Sequence, residues 1–414
     1  MTPLGRLLIG SQFAFNVGFF AVLPYLAEHL AGTLGLGGAL VGLVLGLRTF
    51  SQQGLFVVGG VLTDRYGPRP VVLAGCALRA AGFCWLAEAS SAGTVVGAVV
   101  LVGFAAALSS PAVESEITRE ALRVERAGGP RRTRTLARFS AGGQAGALVG
   151  PVAGALLVAR GGDGAFRTAC FAGAAVFLLV LVAHARLMPR KDGNGDGGDG
   201  SDGGGDGTRA GAAAGGEGAV AAGRLVLGNR RFLRLAGAYT AYLLAYNQLY
   251  LALPAELERS TGSQAALGWL FALSAALVVC GSGALERRAA ARLSHAGMAR
   301  AGLLVVSGAF AGAALLRQPG GVGAAVVFTV LLTVGQMLVL PATRAMLPDL
   351  AGHRHLGLFT GALSSLAGTA VLAAGAPVGA LLDLGGALPW LVLGALPLLG
   401  AGLVPAASPR APRR

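Results

Sequence analysis

The chain has 414 residues, 54% of them hydrophobic and only 13% charged. A soluble domain carries about 25% charged residues, so a surface bathed in water is excluded, and the strongly positive mean hydropathy agrees. The net charge of +14 suggests nucleic acid, but the 33 Lys and Arg fall in short clusters between apolar runs, which excludes that partner.

A helix needs about 20 apolar residues to cross the hydrocarbon core of a bilayer. In chain order the predicted spans are 7–30, 38–62, 70–90, 93–115, 138–159 and 165–187, then 232–254, 265–285, 297–316, 322–346, 355–382 and 386–406. The first apolar run is too long for a cleavable signal peptide. A polar stretch separates the two sets of six, the outline of two fused repeats. The expected fold class is an all-α membrane protein of twelve transmembrane helices in two pseudo-symmetric six-helix bundles. Its parts are a bundle at 1–187, a Gly/Asp-rich linker at 188–229, a second bundle at 230–406 and a tail at 407–414. The 68 glycines suit close helix contact in lipid, where no hydrophobic force draws helices together.

Basic residues set the orientation. With the amino terminus in the cytoplasm, 27 of the 33 Lys and Arg lie on cytoplasmic segments or at the cytoplasmic ends of spans, and four lie outside: Arg160, Arg167, Arg259 and Arg317. The expectation is a multi-pass protein of the cell membrane with both termini and the linker cytoplasmic. Within the linker, Asp192, Asn194, Asp196 and Gly197 match the opening of a calcium loop. The twelfth position is Gly203 where Glu is needed, so the stretch reads as a flexible tether. Cys76, Cys84, Cys170 and Cys280 each lie in apolar sequence without a CxxC pair, and no metal site or disulfide is expected.

The sharpest motif is GGVLTDRYGPRP at 59–70, between the second and third spans. Gly60, Leu62, Asp64, Arg65, Gly67 and Arg69 fit G-x-L-x-D-R-x-G-x-R. Gly67 permits a tight turn with positive φ. Asp64 ends a helix at its negative pole and wants a cationic or helix N-terminal partner, so this cluster reads as a conformational switch. In the fifth span, Gly146, Gly150, Pro151 and Gly154 fit G-x-x-x-G-P-x-x-G. Glycines four apart share a face and let a neighbour approach.

The loop at 59–70 resembles the signature of the major facilitator superfamily, and the fifth-span motif resembles that of its antiporters. Gly46 to Phe83, NRRFLRLAGAY from Asn229, PATRAML from Pro341 and the 355–385 segment resemble MdtH-type multidrug efflux proteins. The resemblance implies twelve helices in two domains, alternating access and proton-driven efflux, with spans one, four, seven and ten lining a cavity. Two departures stand out. Pro68 replaces a basic residue of the motif, and the fourth span lacks the basic residue that many relatives carry.

Polar residues inside the spans are the candidate substrate contacts. Arg48 and Arg79 lie near mid-depth, where an ionised group is costly and function is the default reading. Gln52 shares the face of Arg48. Tyr239, Tyr242, Tyr246 and Tyr250 fall within an arc of about 80°, suited to a cavity wall. Asn16 shares a face with Gln12, and Gln336 with Thr329 and Thr333. No carboxylate sits at mid-depth, which leaves Asp64 and Glu114 as candidates for proton coupling. The expected function is secondary active export of drug-like or secondary-metabolite molecules in exchange for protons. The alternatives are an exporter of one anionic or neutral metabolite and a transporter-like sensor without flux. No P-loop, HExxH or Ser/His/Asp arrangement marks an enzyme. The expected partners are a small-molecule substrate and the lipid bilayer, with no obligate protein partner. No cofactor is expected beyond a proton gradient.

Overall fold

The structure is a computed structural model of the chain, and it describes residues 2–161, 164–188, 225–318, 320–351 and 356–406. Among them every regular element is helical. The first span comprises α1 (Pro3–Phe20), α2 (Leu23–Glu28) and a π-helical turn at His29–Thr33; the second comprises α3 (Gly38–Gln53) and α4 (Phe56–Tyr66). Then come α5 (Pro68–Ala87), α6 (Ala92–Arg126), α7 (Arg132–Gly161) and α8 (Ala165–Leu187). The seventh span is α9 (Arg230–Asn247) with α10 (Ala252–Thr261). It is followed by α11 (Leu267–Arg292), α12 (His295–Leu315), α13 (Gly323–Ala351), α14 (Leu356–Asp383) and α15 (Leu388–Leu403). Nine helical stretches among the described residues are long and apolar enough to cross a bilayer by those measures alone. The helix α7, the broken α9–α10 pair and the shorter α15 complete twelve spans in two six-helix bundles. Leu179, Leu315 and Leu399 stand largely exposed on the outside of these bundles, as a lipid solvent requires.

Hydropathy marks where the chain leaves lipid, and the helices run on past it. The fourth span was expected at 93–115, yet α6 continues to Arg126. Its added turns carry ion pairs three residues apart, Glu116 with Arg119 at 3.6 Å and Glu120 with Arg123 at 2.6 Å. Likewise α7 starts at Arg132, ahead of the expected 138. The expected linker at 188–229 lies mostly in 189–224, outside the described residues, as does the tail at 407–414.

Three spans are broken, each for a local reason. The first and seventh break before the same dipeptide, Leu23-Pro24 and Leu253-Pro254, because proline cannot donate to the helix ladder. The second breaks at Gly54–Leu55, and there the Ser365 hydroxyl from α14 donates to the Gly54 carbonyl at 3.2 Å. That bond satisfies a backbone acceptor that neither the helix nor lipid can serve.

The bundles touch most closely along α3 and α14. A methyl group on Gly42 would strike the Gly375 carbonyl, and one on Gly379 would strike the Gly38 carbonyl. At Gly46 it would lie 3.0 Å from the Val371 carbonyl, so two backbones meet with no side chain between them. Asp383 adds a cap. Its Oδ2 accepts the Gly38 N–H at 3.0 Å, while Gly37, the cap position of α3, offers no side chain. A second contact joins α7 to α11, where a methyl on Gly268 would meet Ala155, the Tyr25 hydroxyl and the Pro151 carbonyl. Both contacts slacken away from this sealed end. On α11 the buried residues stop at Ala275, and Val279 and Cys280 are exposed. On α4, a methyl on Gly60 would meet nothing within 4 Å among the described residues.

The seal makes a testable demand. In a Cys-free background, a cysteine replacing the buried Leu45 should react slowly with a hydrophilic maleimide in purified protein. Adding Gly379→Val should raise that rate several-fold by wedging α14 off α3. An unchanged rate would mean that the helices have room for a side chain.

Candidate functional site

The seam between the bundles passes beside Arg48, and the site is built outward from it. Arg48 sits on α3 less than two turns before the break at Gly54, and it is 8% exposed. Its Nη2 donates to Thr49 Oγ1 at 3.1 Å. Thr49 Oγ1 lies 2.8 Å from Asn247 Oδ1 and 3.0 Å from the Leu45 carbonyl, and its single proton serves one of them. Asn247, the last residue of α9, is steadied by donating Nδ2 to the Leu243 carbonyl at 2.8 Å. A polar chain therefore crosses from the first bundle to the second at the level of Arg48.

Around that chain the walls are aromatic. The Arg48 guanidinium lies 5.2 Å from the Tyr250 ring centre and 5.7 Å from that of Phe19. Arg79, on α5, lies 5.0 Å from Phe177, 5.6 Å from Phe15 and 5.9 Å from Phe19. The Nε of each arginine is buried without a hydrogen-bond partner among the described residues. Tyr239, Tyr242, Tyr246 and Tyr250 form a ladder with ring centres 5.9, 5.9 and 6.1 Å apart, continued by Phe271 at 5.3 Å. Tyr242 and Tyr250 are buried, while Tyr239 and Tyr246 are half-buried. The side chains of Gln52 and Gln336 are half-buried on α3 and α13. Asn16 is tied to the neighbouring helix, donating Nδ2 to the Gly143 carbonyl of α7 at 2.9 Å. Thr333 Oγ1 pairs with Ser274 Oγ at 2.7 Å, and Thr329 Oγ1 is buried without a partner among the described residues.

Several participants escaped the sequence reading. Thr49, Asn247 and Phe19 look like ordinary helix residues until two spans are set side by side. Arg344 on α13 is exposed, and Glu114 on α6, Tyr239 and Tyr242 are its electrostatic neighbours. A signal for Arg344 did exist, since it lies about three turns from Thr333 on the same face.

The motif residues are placed as follows. Gly67 joins α4 to α5 with φ at +82°, and Pro68 takes the first position of α5. Arg65 lies over the Tyr66 ring at 5.4 Å. Arg69 Nη2 donates at 2.7 Å to the Ala185 carbonyl near the C-terminus of α8, where a cation is favoured. The Asp64 side chain lies outside the described residues. Close approach to α6 falls on Gly59, against the Ala107 carbonyl, rather than on Gly60. On α7, Gly146, Gly150 and Gly154 face the first span, with the carbonyls of Phe13, Val17 and Ala21 where a methyl would go. Pro151 of the same helix accepts the Tyr25 hydroxyl at 2.9 Å.

Residues 8–376 match the family model of the Major Facilitator Superfamily. The chain is 34% identical over 387 residues to an uncharacterized MFS-type transporter of Mycobacterium tuberculosis, covering 91% of this chain and 85% of that one. It is 29% identical over 389 residues to the multidrug resistance protein MdtH of Enterobacter sp., covering 91% and 87%. Among solved structures it is similar to a POT family transporter in complex with a thioalcohol-conjugated peptide. There the TM-score is 0.76 at 14% identity, over 97% of this chain and 95% of that one. It is also similar to the nucleoside transporter NupG, with a TM-score of 0.72 at 13% identity over 97% and 98%.

The Thr49–Asn247 contact can be weighed directly. Thr49→Val keeps shape and removes the hydroxyl, leaving both the amide oxygen of Asn247 and Nη2 of Arg48 without it. It should cost about 2–3 kcal/mol of stability, read from thermal unfolding in detergent. A cycle with Asn247→Leu isolates the bridge and should be non-additive by about 1 kcal/mol. Additive losses would mean that the bridge carries no coupling.

Proposed function

The chain belongs to the Major Facilitator Superfamily, and on that premise we propose that it exports small organic molecules by alternating access in exchange for protons. The observation that carries this reading is the uneven seam. Backbone meets backbone at the sealed end, the contacts slacken toward the end that holds the Gly67 turn, and the polar chain at Arg48 lies between. A rocking of one bundle on the other would close the slack end and part the sealed one, presenting the central residues to each side in turn. The likeness to a protein named for multidrug resistance favours export, and the aromatic ladder of α9 suits apolar bodies of varied shape. In this reading the sealed end faces outward, and the Gly67 turn, both termini and the linker face the cytoplasm of a cell membrane.

Two carboxylates are assigned to coupling. Glu114 stands on α6 with Arg344 of the other bundle as its electrostatic neighbour, so a proton on Glu114 would weaken an attraction between the bundles. Asp64 ends α4 beside the Gly67 turn and would bias the balance of states through a helix terminus. Gly60, Arg65 and Arg69 serve that switch by shaping the loop. Gly146, Gly150, Pro151 and Gly154 hold the first and fifth spans together as one rocking unit. No catalysis is assigned.

Proteoliposomes with an imposed pH gradient test the reading. Substrate efflux from a drug-like panel should dissipate the gradient, and Asp64→Asn should slow both fluxes about 5–100-fold at normal expression, the usual size of a conformational coupling. Substrate flux without proton flux would refute the exchange. For orientation, a Ser201→Cys variant in a Cys-free background should label in intact cells only with a membrane-permeant maleimide. Rapid labelling by an impermeant one would invert the topology.

A further inference from the structure

Two buried guanidiniums converge on one ring, and among the described residues neither has a counter-charge. Arg48 from α3 and Arg79 from α5 both lie within 6 Å of the Phe19 ring centre, at 5.7 and 5.9 Å. They are 8% and 5% exposed. Among the described residues, no carboxylate pairs with either one, although other arginines of this chain do find partners. Arg259 and Arg317 share Glu256, and Arg167 pairs with Glu88 at 2.6 Å. Aromatic faces attract a cation but fill only the space above and below its plane. The in-plane donors need acceptors, and a guanidinium has five. Among the described residues, Arg48 and Arg79 each leave Nε unserved, and the one side-chain acceptor met by Arg48 is the Thr49 hydroxyl.

Position adds to this. The first and seventh spans are broken at matching Leu-Pro dipeptides, and such paired interruptions mark binding sites in transporters of two repeats. Phe19 lies at the end of α1 and Tyr250 in the unwound turn of the seventh span, and both ring centres lie within 6 Å of the Arg48 guanidinium. Phe19 belongs to the first bundle and Tyr250 to the second. Rocking would carry Tyr250 and Asn247 away from Arg48 and bare its donor edge. The neighbours of Arg79 are Phe15, Phe19 and Phe177, all of the first bundle. Arg79 therefore sits one layer behind and adds to the positive field.

We infer that Arg48, backed by Arg79 and walled by Phe19 and Tyr250, is an anion-recognising subsite, and that the transported molecules carry a carboxylate, sulfonate or phosphate on an apolar ring system. This rests on the reading of the seam as a transport route. It narrows that reading to acidic compounds. The planar fork of Arg48 would bind two acidic oxygens side by side, and the rings would hold the apolar body.

The test uses two xanthene dyes of similar body and opposite charge, carboxyfluorescein and a cationic rhodamine ester. Binding to the purified full chain in nanodiscs is followed by fluorescence anisotropy. Carboxyfluorescein should bind more tightly than the rhodamine. Arg48→Gln should weaken it about tenfold or more, as expected for a lost charge-assisted bond. Arg48→Lys should fall between, because an ammonium lacks the fork, and Arg79→Gln should weaken binding less than Arg48→Gln. The inference is overturned if the rhodamine binds as tightly as carboxyfluorescein, or if Arg48→Gln leaves carboxyfluorescein affinity unchanged. The dye comparison on the unaltered protein decides even where a variant does not fold. Equilibrium binding is blind to direction and coupling, so a failed export reading would appear separately, as anion binding without pH-driven flux.

Discussion

The contact between Gly42 and Gly375 is the constraint on which the rest depends. In lipid no hydrophobic force holds two bundles together, so attraction comes from close packing and polar bonds. A glycine against a carbonyl gives the shortest approach that two helices can make. The same chemistry repeats inside the first bundle, where Gly146, Gly150 and Gly154 meet the carbonyls of the first span. The two uses differ in consequence. Within a bundle the contact runs past several turns and rigidifies. Between bundles it is densest at one end and gives out by Gly60, which in the proposed reading makes it a pivot rather than a weld. The Asp383 cap at the far end of α3 fits this picture, because a bond to an exposed helix terminus can exchange with water when the ends part.

Breaking helices in a membrane is costly, and this chain meets the cost locally. Each broken turn frees backbone groups that lipid cannot serve. Ser365 serves Gly54 across the seam, and Asn247 and Gln248 fold back onto the carbonyls of Leu243 and Leu244. Polar residues of the seam thus have two duties. They satisfy the breaks, and they place hydroxyls and amides of one bundle within reach of the other. The Thr49–Asn247 contact exists because α9 ends where it does.

Much of this was legible in the sequence, for reasons of period and punctuation. Runs of apolar residues gave the spans, and Gly67 between two helices gave the tight turn. Tyrosines at helical spacing gave the ladder. Two kinds of feature were hidden. One is the helical extension of α6 to Arg126, because amphipathic turns beyond the bilayer look polar to any hydropathy window. The other is whatever depends on two spans meeting, such as Thr49 with Asn247 or Arg344 with Glu114. A glycine spacing is visible along one helix, yet Gly38, Gly42 and Gly46 do not say that their partner is α14. Asn16 shows the converse. Its helical face was legible, and its bond to the Gly143 carbonyl was not.

The coincidence of three helix breaks around one buried arginine has a physical logic. A guanidinium at mid-depth needs somewhere to put its plane and its edge. Unbroken helices offer neither, since their carbonyls are spent and their side chains point along fixed rows. The breaks in the first and seventh spans lie beside Phe19 and Tyr250, whose ring centres are 5.7 and 5.2 Å from the Arg48 guanidinium, and the break in the second ends α3 less than two turns beyond it. The edge is still poorly served, and a group held that way is stable only while its neighbours stay put. In the proposed rocking, Tyr250 and Asn247 would leave together and uncover the donors at once. A seam built on glycine can part without repacking side chains, and a buried cation with idle donors gives a ligand something to gain when it does. In the proposed reading the pivot and the charge are two halves of one device, and neither would be of use in a protein whose bundles were welded along their whole length.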